Sequence, residues 1–163
     1  HCPTTYLSTI FFENKTIIRL TLSFDVIAHQ RNHIEFYGKN GSMIVPDPNM
    51  FGGSVYICNK LGQPWKEYKT GKMSLGKINI RTKSLRANES PINANYRGAG
   101  LAEMAYCIEK RKKHRCSGEL SLHVLDIIQS TMRASKTGKK QKITTTCKIP
   151  KRFIEKDIKK ILN

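Results

Sequence analysis

Residues Thr16–Gly53 read TIIRLTLSFDVIAHQRNHIEFYGKNGSMIVPDPNMFGG, and this stretch decides the fold. From Ile18 the apolar side chains alternate through Leu20, Leu22, Phe24 and Val26, with Arg19, Thr21, Ser23 and Asp25 between them. A period of two over nine residues is the pattern of a strand with one buried and one polar face. Ile34 and Phe36 resume the alternation after a polar break, and Gly38-Lys39-Asn40-Gly41 then supplies turn chemistry. Ser42–Val45 leads into Pro46-Asp47-Pro48-Asn49, where each proline removes a ladder donor and ends the strand. The reading is a meander of antiparallel strands with a sharp exit.

Working outward, Tyr6–Phe12 (YLSTIFF) is rich in β-branched and aromatic residues and should pair with the strand from Thr16 across Glu13-Asn14-Lys15. Ser54–Cys58 is a fifth strand beyond the Gly52-Gly53 swivel, and the pattern then weakens from Asn59 to Asn95. Strands near Trp65–Tyr68 and Lys77–Ile80 are expected within that excursion. Leu101, Met104, Ala105 and Ile108 recur at helical spacing and predict a helix from about Gly98 to Lys112. A longer one follows from Ser117-Gly118-Glu119 to about Ala134, with Leu120, Val124, Ile127, Ile128 and Met132 as its apolar stripe and Gly138 as its stop. Lys142–Cys147 reads as a last strand, and Ile154–Ile161 as a basic helix beyond Pro150. The fold class is therefore α+β: an open, mostly antiparallel sheet with helices packed on one face. The helices from Gly98 and Gly118 are expected to cover the Ile18/Leu20/Leu22/Phe24 face.

With 163 residues and 39% apolar side chains, the chain suits one ordered domain. No apolar run is long enough to span a bilayer. Five widely scattered cysteines without a C-x-x-C spacing argue against zinc and fit reduced thiols in a cytoplasmic protein. The first ten residues already read as strand and begin at His1, so an N-terminally incomplete domain and a trimmed chain both remain open. The formal charge of +17, with basic runs at Lys110–Arg115, Lys136–Lys142 and Lys148–Lys160, permits a nucleic-acid or other anionic partner. The aromatic residues are not interleaved with those lysines as a base-stacking platform requires.

Motifs for chemistry are few. Gly98-Ala99-Gly100 opens like a dinucleotide fingerprint, but no apolar strand leads into it and no third glycine follows. His123, inside the long helix, is either a satisfied histidine at a helix–sheet junction or a polar group facing a ligand cleft. His29 and His33 flank the break between two strands, with Arg31 between them, where a cleft or plain solvent could lie. Asp25 and Glu35 on polar strand faces could in principle form an acid/base pair.

Two longer blocks carry a resemblance. SFDV at Ser23–Val26 with IEFYGKNGSMIVPDPNMFGGSV at Ile34–Val55 is the first, and RGAGLAEMAYCIEKRKKHRCSGELSLHVLDIIQS at Arg97–Ser130 is the second. In this order they resemble the C-terminal domain of the Gfo/Idh/MocA family, the glucose–fructose oxidoreductase and inositol dehydrogenase relatives. The chain departs from the family pattern at Thr5 (a histidine there), Ile27 (tryptophan) and Glu103 (aspartate). Arg111-Lys112-Lys113 stands where the pattern has Gly-Arg-Pro.

The resemblance implies a parent enzyme whose N-terminal Rossmann domain binds NAD or NADP, with this sheet serving substrate binding and oligomerisation. It implies a small sugar, polyol or related hydroxy compound as substrate. The Rossmann domain is missing from these residues, as is the family's E-K-P lysine motif, so no catalytic, cofactor-binding or metal-ligating residue carries over. His29, Arg31, Arg97 and His123 are the substrate-facing candidates. Arg19, Thr21, Ser23 and Asp25 become the candidate face toward a sister subunit. The isolated chain is expected to be inactive; the alternative is a non-enzymatic basic module that binds nucleic acid.

Overall fold

The computed structural model describes residues 3–73, 75–76, 96 and 98–162. They form an α+β fold with two antiparallel sheets and three helices. The chain divides into two compact units, one comprising 1–31 and 119–147, the other 32–118 and 148–163.

The first unit holds a hairpin of β1 (Thr5–Phe11) and β2 (Ile17–Ser23), in register from Thr5↔Ser23 to Phe11↔Ile17. Its turn closes through Phe12 N–H to Thr16 O at 2.9 Å and Lys15 N–H to Phe12 O at 3.0 Å. The register puts Tyr6, Ser8, Ile10, Ile18, Leu20 and Leu22 on one face. Alternation alone would carry β2 to Val26, but the ladder stops at Ser23. There the Ser23 hydroxyl accepts from Asp25 N–H at 3.2 Å, a local bond that competes with strand pairing. Phe24 is consequently 93% exposed, and Val26 and Ile27 are exposed beyond it. Ile18 and Leu22 are exposed as well, so within this unit the face is not buried as alternation suggested.

The second helix, Gly118–Thr137, belongs mostly to this unit and is numbered α2 in chain order. It ends at Gly138, which takes φ 65° and donates its N–H to Ala134 O at 2.9 Å. The following segment, 142–147, is not a ladder strand. The N–H groups of Thr144 and Thr145 both converge on one oxygen of Asp126. Successive N–H groups of a β-strand point to opposite sides, so converging amides are incompatible with sheet pairing.

In the second unit, β3 (Ile34–Gly38), β4 (Gly41–Val45), β5 (Ser54–Cys58) and β6 (Lys66–Lys69) form a four-stranded meander in sequence order. β3 and β4 are joined by the two-residue turn Lys39-Asn40, as its composition predicts. Pro48–Met50 is one 3-10 turn, capped by the Asp47 carboxylate, which accepts from Asn49 N–H at 2.9 Å. Gly53, at φ 135°, then lets the chain pass Pro46, whose Cβ would lie 2.8 Å from any added Cβ. A strand near Trp65 is present as β6; the one expected at Lys77–Ile80 lies outside the described residues.

The helices of this unit are α1 (Ala99–Glu109) and α3 (Glu155–Leu162), which pack on one another. Ala99, Glu103 and Cys107 recur every four residues and give α1 one buried stripe. Arg111 follows the helix at φ 51°, in the left-handed region, and turns the chain back. The N–H groups of Lys110, Arg111 and Lys112 bond the carbonyls of Tyr106, Ile108 and Cys107 at 3.0, 3.1 and 2.7 Å, so the helix end is closed by backbone.

Candidate functional site

In the first unit, polar chemistry gathers on α2. His123 and Asp126 are three residues apart and share one helix face. Asp126 Oδ2 accepts from Thr144 N–H at 3.0 Å, Thr145 N–H at 3.1 Å and the Thr145 hydroxyl at 3.0 Å. Its other oxygen meets the Ser130 hydroxyl at 3.3 Å and an Arg133 guanidinium nitrogen at 3.4 Å. The backbone amides of Thr145 and Thr144, with the Thr145 hydroxyl behind them, hold the Asp126 carboxyl down to about 2. A carboxylate that stays ionised to such acidity is an anchor and not a proton carrier at neutral pH.

Thr145 Oγ1 also lies 3.0 Å from His123 Nδ1. The hydroxyl has one proton; when Asp126 takes it, Oγ1 is left to accept from Nδ1–H. This contact orients the half-buried imidazole and leaves Nε2 as its second ring nitrogen. The arrangement can therefore present one oriented ring nitrogen, Nε2. His123 is a bonded histidine, with Thr145 as the partner that the sequence did not reveal.

The second unit carries a denser charged node at Arg115. Its Nη1 pairs with Glu103, and its Nη2 pairs with Asp157 at 2.5 Å and reaches Arg152 O at 3.3 Å. Nε–H donates to Lys151 O at 2.7 Å, and the guanidinium lies 4.1 Å over the Phe153 ring. Burial works against the Arg115 charge, but the bonds to Glu103 and Asp157 outweigh it and raise its pKa. One side chain thus ties α1 to the segment leading into α3.

The remaining expected residues are dispersed. His29 and Arg31 lie exposed in the irregular segment after β2, and Arg97 falls outside the described residues. Arg19 and Thr21 stand exposed on one face of β2, opposite Thr9 and Leu7. Ser23 shares that face and bonds Thr5 Oγ1 at 2.7 Å. Asp25 lies past the strand end and is taken by the Thr4 and Thr5 hydroxyls. Glu35 accepts from Asn32 at 2.7 Å, so each carboxylate of the supposed acid/base pair is engaged locally.

A dinucleotide does not fit the glycines at the start of α1. The third-glycine position is Glu103, 3% exposed and ion-paired to Arg115, where the fingerprint needs glycine for close helix–strand packing. Among the described residues no group of three His, Cys, Asp or Glu side chains is placed to hold a metal ion. No described helix is long and apolar enough to cross a membrane. Neither a family model, nor a curated protein, nor a solved structure matches the chain.

Proposed function

We propose that these residues form the C-terminal substrate-binding and oligomerisation domain of an NAD(P)-dependent oxidoreductase acting on a sugar, polyol or related hydroxy compound. The chain alone does not turn over substrate, because its parent's dinucleotide and catalytic groups lie elsewhere. The observation that carries the reading is the backbone at Arg111. The Gfo/Idh/MocA pattern has glycine at this position, and here the backbone takes φ 51°, a conformation that favours glycine. A backbone that favours glycine at this position supports the resemblance of the second block.

Exposed apolar side chains on both hairpin faces support the association role. Leu7, Phe11 and Ile17 lie exposed on one, Ile18 and Leu22 on the other. A two-stranded ribbon is marginal by itself and gains most from a covering surface. In the parent, the nicotinamide would supply hydride transfer, and this domain would bind and orient substrate; His123 offers an oriented ring nitrogen toward a hydroxyl.

The coding DNA immediately upstream of His1 tests the proposal, with an in-frame strand–GxGxxG–helix pattern and an E-K-P motif expected. Calorimetry of the isolated chain should give no saturable heat with NAD or NADP. Tight binding of either would sink the claim. Light scattering should detect self-association, and a clean monomer at high concentration would remove the oligomerisation role.

The charge of +17 favours a second reading, a basic module for nucleic acid. It predicts retention on heparin or DNA at low salt that falls steeply as salt rises.

A further inference from the structure

A pocket of about 160 Å³ opens between the C-terminal end of α1 and α3, wholly within the second unit. Lys112, Lys113, Arg115 and Lys160 line it together with Glu103 and Asp157. We propose that this pocket binds a phosphate dianion, either free or as the head of a small phosphomonoester. The proposal stands apart from the parent's oxidoreductase activity and needs no dinucleotide domain.

Charge is the first argument. Four cations face two carboxylates in the lining, a net of two positive charges. A phosphomonoester carries about −1.5 to −2 near neutral pH, which matches that surplus. Both carboxylates are already committed to Arg115, so they do not compete for the ammonium groups of Lys112 and Lys160. Lys112 and Lys160 have no ion-pair partner among the described residues.

Unused donors are the second. Arg115 has five N–H groups, and its bonds to Glu103, Asp157 and the carbonyls of Lys151 and Arg152 occupy four. One Nη1–H has no acceptor among the described residues, on a side chain that is 23% exposed. A donor in that position is satisfied by an acceptor oxygen from outside the chain, and phosphate provides several.

Backbone geometry is the third. The C-terminal end of a helix ordinarily repels anions through its free carbonyls. Here three of those carbonyls are bonded by the N–H groups of residues 110–112, which mutes the repulsion. The left-handed turn at Arg111 turns the chain so that Lys112 and Lys113, though exposed, line the pocket at the helix end. Strain of this kind in a non-glycine residue is a recurrent mark of a site where side-chain placement matters. Size agrees: 160 Å³ holds about five waters, room for a phosphoryl group and a small alcohol but not for a dinucleotide.

The test is calorimetric titration of the full chain with inorganic phosphate and, separately, glycerol 2-phosphate, at about 0.15 M background salt. Saturable one-to-one binding is expected. K112Q/K160Q should weaken it by about tenfold for each ammonium removed, whereas K136Q/K139Q, on exposed lysines of the other unit, should leave it unchanged. Both pairs are exposed, so folding is preserved, and circular dichroism verifies this. Tighter binding of glycerol 2-phosphate than of inorganic phosphate assigns the site to a phosphomonoester, and the reverse assigns it to the free ion. Equal losses in the two variants would overturn the proposal, because they mean diffuse attraction by the whole basic surface. Absence of saturation by either anion would overturn it too.

Discussion

Replacing Arg115 with alanine should be the most damaging single change in the second unit. The guanidinium is the cation of Glu103, whose side chain is 4% exposed, and it also bonds Asp157 and two carbonyls. Removing one partner of a buried pair leaves an uncompensated charge and costs about 3–5 kcal/mol. An exposed pair would cost less than about 1 kcal/mol. The segment leading into α3 loses its tether at the same moment, so α3 should report the loss. Native-state amide exchange on α1 and α3 is the direct assay, since the two units need not unfold together. A drop of about 3 kcal/mol corresponds to exchange at least about a hundredfold faster there. A control separates charge burial from packing: E103M/R115M removes both ions and should recover most of the protection. If Arg115→Ala accelerates exchange by less than about fivefold, the pair behaves as a surface pair and the reasoning fails. If the double variant is as unprotected as the sum of the single ones, Glu103 and Arg115 are not coupled and it fails again.

Other outcomes follow from the same geometry. The Asp126 pKa of about 2 lies below the ordinary 3.8, so the fold favours the carboxylate. Its contribution should be complete above pH about 4 and should fade as pH drops toward 2; the amide shifts of Thr144 and Thr145, followed by NMR, should titrate in that window, and in D126N the titration should vanish. Arg111→Gly relieves a left-handed backbone at the expense of a freer unfolded chain, and should raise stability by about 0.5 kcal/mol in urea denaturation; a loss would contradict the strain. Gly53→Ala combines φ 135° with a Cβ at 2.8 Å from Pro46, and should cost at least about 2 kcal/mol by the same measurement, with near-neutrality as the refuting result.

Much of this fold was legible because its strands advertise themselves locally. Gly38-Lys39-Asn40-Gly41 and Glu13-Asn14-Lys15 are turns whose flanking alternation defines both hairpins, and both form. The glycine stop of α2 acts where composition put it. What failed was alternation without knowledge of partners. Val26 continues the period of β2, yet the Ser23–Asp25 bond ends the ladder. Ile143 and Cys147 flank three β-branched threonines that suit a strand, yet a carboxylate more than fifteen residues away takes two of the amides between them. The site was harder still. His123 and Asp126 could have been joined by their helical spacing, but Thr145 has no local signature. Arg115 and Asp157 lie far apart in sequence, and nothing in a basic run indicates which arginine is spoken for.

The link from Asp126 to Thr144 and Thr145 also sets a length constraint on the chain. α2 continues for eleven residues past Asp126, about 16 Å of helix, before Gly138 reverses direction. From Gly138 to Thr144 the chain has six residues in which to return, a reach of about 20 Å at full extension. The slack is therefore about one residue. Deleting two residues between Lys139 and Ile143 should pull the threonines off the carboxylate, whereas inserting two would only bulge the return path. This stretch is a taut strap whose residue count can shrink by no more than about one.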